Sequence, residues 1–174
     1  MAKGFEVMSE FREINPYEIT ENPFKLLNKD WALVSVKKGD KENPMTISWG
    51  GVGIMWNKPV AFTFIRPQRF TFSLVENQEY YSINFFGDEH REALKFCGSK
   101  SGRDYDKSAE SGLTPCNDQI APYYKEAKLV IFCRKMYAQE LNKESVISSD
   151  VLSAYTANDF HKMYISEIVK VITK

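Results

Sequence analysis

Asn43-Pro-Met-Thr-Ile-Ser-Trp-Gly-Gly-Val-Gly53 is the stretch on which the reading of this chain turns. Met45 to Trp49 has the short apolar run of a β-strand. Thr46 and Ser48 fall on one face of it, because side chains alternate along a strand. Glycines follow at once at Gly50, Gly51 and Gly53, and a residue without Cβ leaves its backbone open to close approach. Such a strand edge can lay N–H donors against a flat heteroaromatic ring. It can equally be a Gly-rich bulge at a barrel corner, which needs no ligand. The segment alone leaves both readings open.

The pattern continues on either side. Upstream, Trp31-Ala-Leu-Val-Ser-Val36 is apolar and β-branched, and Gly39-Asp40 reads as a turn. Downstream, Asn57-Lys58-Pro59 is a turn, and Val60 to Ile65 sets Val60, Phe62 and Phe64 on one face with period two. Arg66-Pro67 ends that strand, since Pro cannot donate to a central ladder. Phe70 to Asn77 has helical spacing. Tyr80 to Phe86 alternates again, with Tyr81, Ile83 and Phe85 together. His90 to Cys97 carries Ala93, Leu94 and Cys97 on one helical stripe. A polar stretch runs from Gly98 to Gly112, its second half (Tyr105 to Ser111) helical. Lys128 to Leu141 and Met163 to Ile172 are long strands, with a short helix expected over Ser149 to Tyr155. Trp56 reads as core and His90 as a surface residue at a helix start. Residues 1–30 are expected to form an N-terminal arm and 31–174 a single domain. Short strands punctuated by turns, with helices inserted between them, predict a mainly β fold, a closed or nearly closed barrel. A doubly wound sheet would show strict strand–helix alternation instead.

Composition narrows the function. The 174 residues are 43% hydrophobic, 26% charged and 14% aromatic, the usage of an ordered globular chain. Lys plus Arg equal Asp plus Glu at 23 each, so the formal net charge is zero. That lacks the footprint of a general nucleic-acid or anionic-membrane binder. Lys3, Glu6 and Glu10 interrupt any leader-like apolar run, and no stretch approaches a membrane span. The expected location is cytoplasmic, with Cys97, Cys116 and Cys133 as reduced, inert thiols.

Several chemistries drop out. No G-x-G-x-x-G follows a strand. Gly98-Ser-Lys-Ser-Gly102 has the composition of a phosphate loop but not the Walker spacing. His90 and His161 are the two histidines and no Cys-x-x-Cys exists, so no metal site is expected. Two segments point elsewhere. Ile65-Arg-Pro-Gln-Arg-Phe-Thr71 gathers Arg66, Arg69 and Thr71 near a helix start, where a phosphate finds N–H groups and guanidinium forks. Gly98 to Lys107 adds Ser99, Lys100, Ser101, Arg103 and Lys107. Together the three segments describe a ring-binding strand and two phosphate-donor loops.

At this point the chain resembles the flavin reductase-like proteins with the FMN-binding split-barrel fold, in particular the flavoredoxin branch. The likeness is carried by NPMTISWGGVG (43–53), NKPV (57–60), FIRPQRFT (64–71), YSINFF (81–86), CGSKSGRDYDK (97–107) and HKMYISEI (161–168), in that order. It implies a Greek-key split β-barrel with short flanking helices. It implies that Thr46, Ser48, Trp49 and Gly50 contact an isoalloxazine, that Arg66, Pro67, Arg69 and Thr71 hold the ribityl phosphate, and that Asn84 lies near the cofactor. Ser99, Ser101, Gly102 and Lys107 match the loop that closes over it. Trp49 either stacks beside the flavin or packs in the core or a dimer interface. His161 is either a substrate-facing residue of the flavin pocket, the one catalytic candidate, or a structural histidine at a strand start. The resemblance further implies a homodimer with the flavin near the interface, and use of NADH or NADPH without a dinucleotide-binding domain. FMN is expected rather than FAD, since nothing marks an adenine pocket.

The function expected is therefore an NAD(P)H-dependent oxidoreductase of the flavin reductase type, passing electrons through FMN to free flavin or another acceptor. An FMN electron carrier serving a protein partner is the alternative. A small barrel binding single-stranded nucleic acid is a remote third reading, which zero net charge disfavours.

Overall fold

The computed structural model describes residues 10–174; residues 1–9 of the expected arm lie outside it. Along the chain come β1 (Arg12–Ile14), a short helix α1 (Pro23–Lys25), β2 (Ala32–Lys38), β3 (Lys41–Ile47), β4 (Gly50–Met55), β5 (Lys58–Ile65), α2 (Phe70–Glu76), β6 (Tyr80–Phe85), α3 (Arg91–Ser99), α4 (Lys107–Ser111), β7 (Pro115–Cys116), β8 (Tyr123–Tyr124), β9 (Leu129–Glu140) and β10 (Lys162–Thr173). Eight of the strands form one sheet in the order β3-β2-β6-β9-β10-β5-β4, with β1 added on β10. Its pairings are antiparallel. The mainly β expectation with short helices holds.

The two edges of this sheet, β3 and β4, are consecutive in the chain and joined only by Ser48 and Trp49. A sheet whose first and last strands are two residues apart must curl until its edges meet. Yet β3 and β4 do not pair, so the barrel is left split along this seam. Ser48 and Trp49 span it, outside both ladders.

Local sequence sets the turns. Gly39 takes φ +61° between β2 and β3. Between β4 and β5, Trp56 and Asn57 both have positive φ, +52° and +57°, the geometry of a tight two-residue hairpin turn. This corrects the reading of Trp56 as core: a turn tip cannot point inward, and the indole is 47% exposed, 6.3 Å from the Tyr137 ring. Asp106 caps α4 and Gly112, at φ +74°, ends it.

The barrel interior holds Val34, Val36, Ile47, Ala61, Ile65, Tyr81, Ile83, Phe85, Ile131 and Val171. The Tyr81 hydroxyl, fully enclosed, bonds Thr63 Oγ1 and Ser166 Oγ, each at 2.9 Å. A second core lies outside the barrel wall, where Leu33, Val130 and Phe132 meet Leu94 and Cys97 of α3 and Tyr124. Strand β2 is buried on both faces, which explains why its sequence is a continuous apolar run. Residues 12–14, within the expected arm, pair with the last strand, and Leu26 is buried in the barrel core. Because α3 packs along β2 and β3, the loop that follows it, residues 100–106, comes to lie beside the turn after β5.

Candidate functional site

A cleft of about 510 Å³ opens at the split seam. Its walls are Met45 to Trp49, Phe64, Arg66, Gln68, Arg69 and His161. The β3 end, the link to β4, the turn after β5 and the residue before β10 thus converge because β5 is paired to both β4 and β10. A second basin of about 180 Å³ adjoins it and shares Met45, Gln68 and Arg69. Phe70, Thr71, residues 99–103 and Lys107 complete that basin. The two volumes abut at these three residues; the larger mixes aromatic walls (Trp49, Phe64, His161) with polar ones, and the smaller is basic.

The basic end is firmly built. Arg69 donates through NH2 to the Gly98 carbonyl at 2.6 Å, and its Nε lies 3.5 Å from Met45 Sδ. Lys107 is 4% exposed and donates to the Cys97 carbonyl at 2.9 Å. Burial, with the Arg69 charge adding to it, lowers its pKa to about 8. Both cations retain unused N–H donors: an ammonium carries three and a guanidinium five. The Thr71 hydroxyl, also buried, accepts from Asn43 Nδ2 at 2.8 Å. Gly102 fits against that pair so closely that a Cβ there would stand 1.8 Å from Asn43 Oδ1. Ser99 and Ser101 edge the basin; Ser101 Oγ accepts from the Arg103 amide at 3.2 Å, tightening the loop.

At the other end, the Trp49 indole is 49% exposed and lies 5.0 Å from the His161 ring, tilted by 44°. It walls the cleft rather than filling the core. His161 is 8% exposed, with Nδ1 2.8 Å from the Tyr155 hydroxyl. Burial, aided by the nearby Arg66 charge, lowers its pKa to about 4, so the ring is neutral near pH 7. Ser48 lines the cleft with its main chain outside the ladders.

The structure departs from the sequence expectations at five residues. Asn84 lines neither cavity: it is buried in β6, donates to Leu33 O and Ser82 Oγ, and accepts from the Tyr124 amide. Pro67 is an exposed turn residue outside both cavities. Gly50 faces away, toward Leu27 and the Phe62 carbonyl, which a Cβ would approach to 2.8 Å. Thr46 stays in the cleft wall, but its hydroxyl is spent on the Leu94 carbonyl. Arg66 lines the larger cleft, not the basic basin, and is paired with Asp159. The sequence reading missed Met45, Phe64 and Gln68, although each lies within a segment it singled out.

Among the described residues no cluster of His, Cys, Asp and Glu is able to hold a metal ion, and no helix is long and apolar enough to cross a membrane.

Residues 25–172 match the flavin reductase like domain. The chain belongs to this family. This flavin reductase like domain superposes on flavoredoxin from Methanosarcina acetivorans with a TM-score of 0.67 at 19% identity, covering 83% of this chain and 68% of that one. Flavoredoxin of Desulfovibrio vulgaris (Miyazaki F) gives 0.65 at 20% identity, covering 83% and 69%. An FMN-binding domain of a flavin reductases-like enzyme from Shewanella baltica OS155 gives 0.68 at 15% identity, covering 95% and 78%. These likenesses establish the split-barrel fold that the flavin reductase like domain shares with them. No curated relative matches the sequence.

Proposed function

We propose that the protein holds FMN in the seam cleft and catalyses oxidation of NADH or NADPH, with electrons passing to free flavin or another acceptor. One observation carries this reading: a cleft of about 510 Å³, with Trp49, Phe64 and His161 among its walls, adjoins at Met45, Gln68 and Arg69 a smaller basin bordered by Arg69 and Lys107. That is the shape and polarity of a tricycle bearing a phosphorylated tail, and the larger volume lies in the usual range of cofactor sites.

The residues present fit that group. Arg69 and Lys107 have the charge and spare donors to meet a phosphate carrying about −1.5 to −2 charges. Ser48 and Trp49, outside the ladders, are placed to offer main-chain N–H groups to the ring edge. The Trp49 indole and Phe64 supply flat apolar walls. Neutral His161 adds a hydrogen-bonding ring without adding charge. When bound, FMN supplies the two-electron chemistry, while the protein contributes binding, orientation and electrostatics.

The same reading carries a homodimer. Strand β4 is a sheet edge whose Val52 and Ile54 are exposed, flanked by Trp49 and Trp56. An exposed apolar edge strand is a pairing hazard unless covered, and a second copy beside the seam covers it. Light scattering is expected to give twice the chain mass, and Ile54→Lys a monomer.

Purified protein is expected to be yellow, or to become so with added FMN, and NADH is expected to bleach the flavin band anaerobically. Protein that takes up no FMN overturns the reading. FMN uptake without bleaching by either nicotinamide favours the electron carrier.

A further inference from the structure

Arg66 is the residue whose placement departs furthest from its sequence assignment. Its guanidinium donates through NH1 to Asp159 Oδ2 and through NH2 to the Ala154 carbonyl at 2.9 Å. It also lies 5.3 Å from the centre of the Tyr155 ring. Gln68 Nε2 reaches the same Asp159 oxygen at 2.8 Å. The turn after β5 therefore grips the short 3₁₀ segment Ser149–Tyr155 and the chain leading into β10, more than 80 residues away in sequence. Tyr155, held between Arg66 and the stacked Phe160 ring at 4.4 Å, places its hydroxyl 2.8 Å from His161 Nδ1. Either atom of that bond can be the donor, and whichever donates, the bond fixes one neutral tautomer of the ring. Nε2 has no hydrogen-bond partner among the described residues, on a ring that lines the cleft beside Trp49.

We infer that Arg66 is a positioning residue for His161, acting through Tyr155 and Asp159, and is not a ligand of the phosphate. This rests on the flavin reading above for its kinetic consequence but not for its structural one. The geometry supports it in two ways. The bidentate use of Arg66 on a carbonyl and a carboxylate spends the fork on the chain itself, a role that a lysine, as a point charge, does not reproduce. The basic basin is complete without it, since Arg69 and Lys107 border that basin and Arg66 does not. The titratable groups that bear on the imidazole are Arg66 after β5 and Tyr155 and Asp159 before β10. Lys162, next in the chain, turns away to Glu76 at 2.8 Å. Removing Arg66 thus frees Tyr155, leaves Nδ1 without a fixed partner, and lets the ring exchange its proton between the two nitrogens.

The test uses ¹⁵N NMR of the imidazoles in the full-length protein. The chain holds two His, so His90→Gln identifies the His161 signals. Wild type is expected to show one neutral tautomer, held by the Tyr155 bond to Nδ1. Arg66→Met is expected to give a mixture of tautomers and to raise the His161 midpoint by about one unit or more. FMN affinity in this variant should stay within about threefold of wild type, while the NADH-dependent rate falls at least about tenfold, as positioning losses do. Tyr155→Phe should reproduce the tautomer mixture with Arg66 intact, and stands in if Arg66→Met does not fold. Wild-type tautomers in either variant overturn the inference. So does a loss of FMN affinity beyond about tenfold in Arg66→Met, which returns Arg66 to the phosphate. If no protein in the series binds FMN, the flavin reading falls while the imidazole signals still decide the role of Arg66.

Discussion

The Lys107 ammonium donates to the Cys97 carbonyl at 2.9 Å from inside the protein, next to the last turn of α3. The cation thus meets the negative end of a helix, a small compensation for its desolvation. With its pKa lowered to about 8, Lys107 loses charge above about pH 8 when the basin holds no anion. FMN affinity is therefore expected to be greatest below that pH and to fall as pH rises through it. Lys107→Met should weaken binding about tenfold or more and flatten the profile. Fluorescence titration between about pH 7 and pH 9.5 checks this; a flat wild-type profile removes Lys107 from the anion site. Stability has the opposite sign. The folded state sheds this proton before the unfolded chain does, so the stability of the FMN-free protein should rise between about pH 8 and 10.5. Lys107→Met should abolish that rise.

Arg69 is held by Gly98 and Met45 rather than by an acid, so its charge has no anionic partner among the described residues. Burial makes its ionised form costlier, with the neighbouring Arg66 charge adding to the cost. Arg69→Ala is expected to lower FMN affinity by more than about tenfold with the fold retained. Circular dichroism and a fluorescence titration on the same sample measure both. Unchanged affinity excludes Arg69 from the site.

Gly102 reports on the wall between the basin and β3. A methyl group there meets Asn43 Oδ1 at 1.8 Å and Phe70 Cδ1 at 3.0 Å, and Asn43 in turn holds Thr71 at 2.8 Å. Gly102→Ala should push the loop outward, break the Asn43–Thr71 bond and weaken FMN binding, with a stability loss of about 1–3 kcal/mol. The double variant Gly102→Ala with Asn43→Ala removes the clash with Asn43, leaving only the tight approach to Phe70, and is expected to bind more tightly than the single one. If the double variant binds no better, the clash is not the cause.

His161 predicts the acid limb of stability. Its folded pKa of about 4 lies below the ordinary 6.5, so between these values the unfolded chain takes up a proton that the folded ring refuses. Stability from this group is complete above about pH 6.5 and declines as pH falls toward 4. His161→Gln should make urea midpoints less dependent on pH across that window. Equal slopes in the two proteins refute the assignment.

Much of the site was legible along the chain because its parts are local. The hydroxyls and glycines of 43–53, the cations of 65–71 and the polar loop after Cys97 are contiguous segments with a chemistry of their own. The positions of β2, β3, β5, β6, β9 and β10 and of α2 to α4 followed from spacing for the same reason, whereas the glycine-rich β4 and the short β1, β7 and β8 carry no such period and are not read as strands. Where the reading failed, the deciding contact was distant. Asn84 looks like a cofactor contact in YSINFF, but β8 and β2 lie against it and take its hydrogen bonds. Thr46 shares a strand face with Ser48, yet α3 claims its hydroxyl. Arg66 and Arg69 are two of a kind in sequence, and only the arrival of residues 149–159 separates their partners.

The amino-acid sequence by itself determined the alternation of strands and turns, the neutral charge and the two kinds of donor segment, since each is written in neighbouring residues. The tertiary structure alone decided that β3 and β4 stay unpaired and leave a seam, and which cation borders the basin. It also decided that a histidine beyond β9, held by Tyr155, lines the cleft beside Trp49. Those outcomes depend on which segments meet across the sheet, and hydrogen bonds between residues far apart in the chain leave no periodic mark on it.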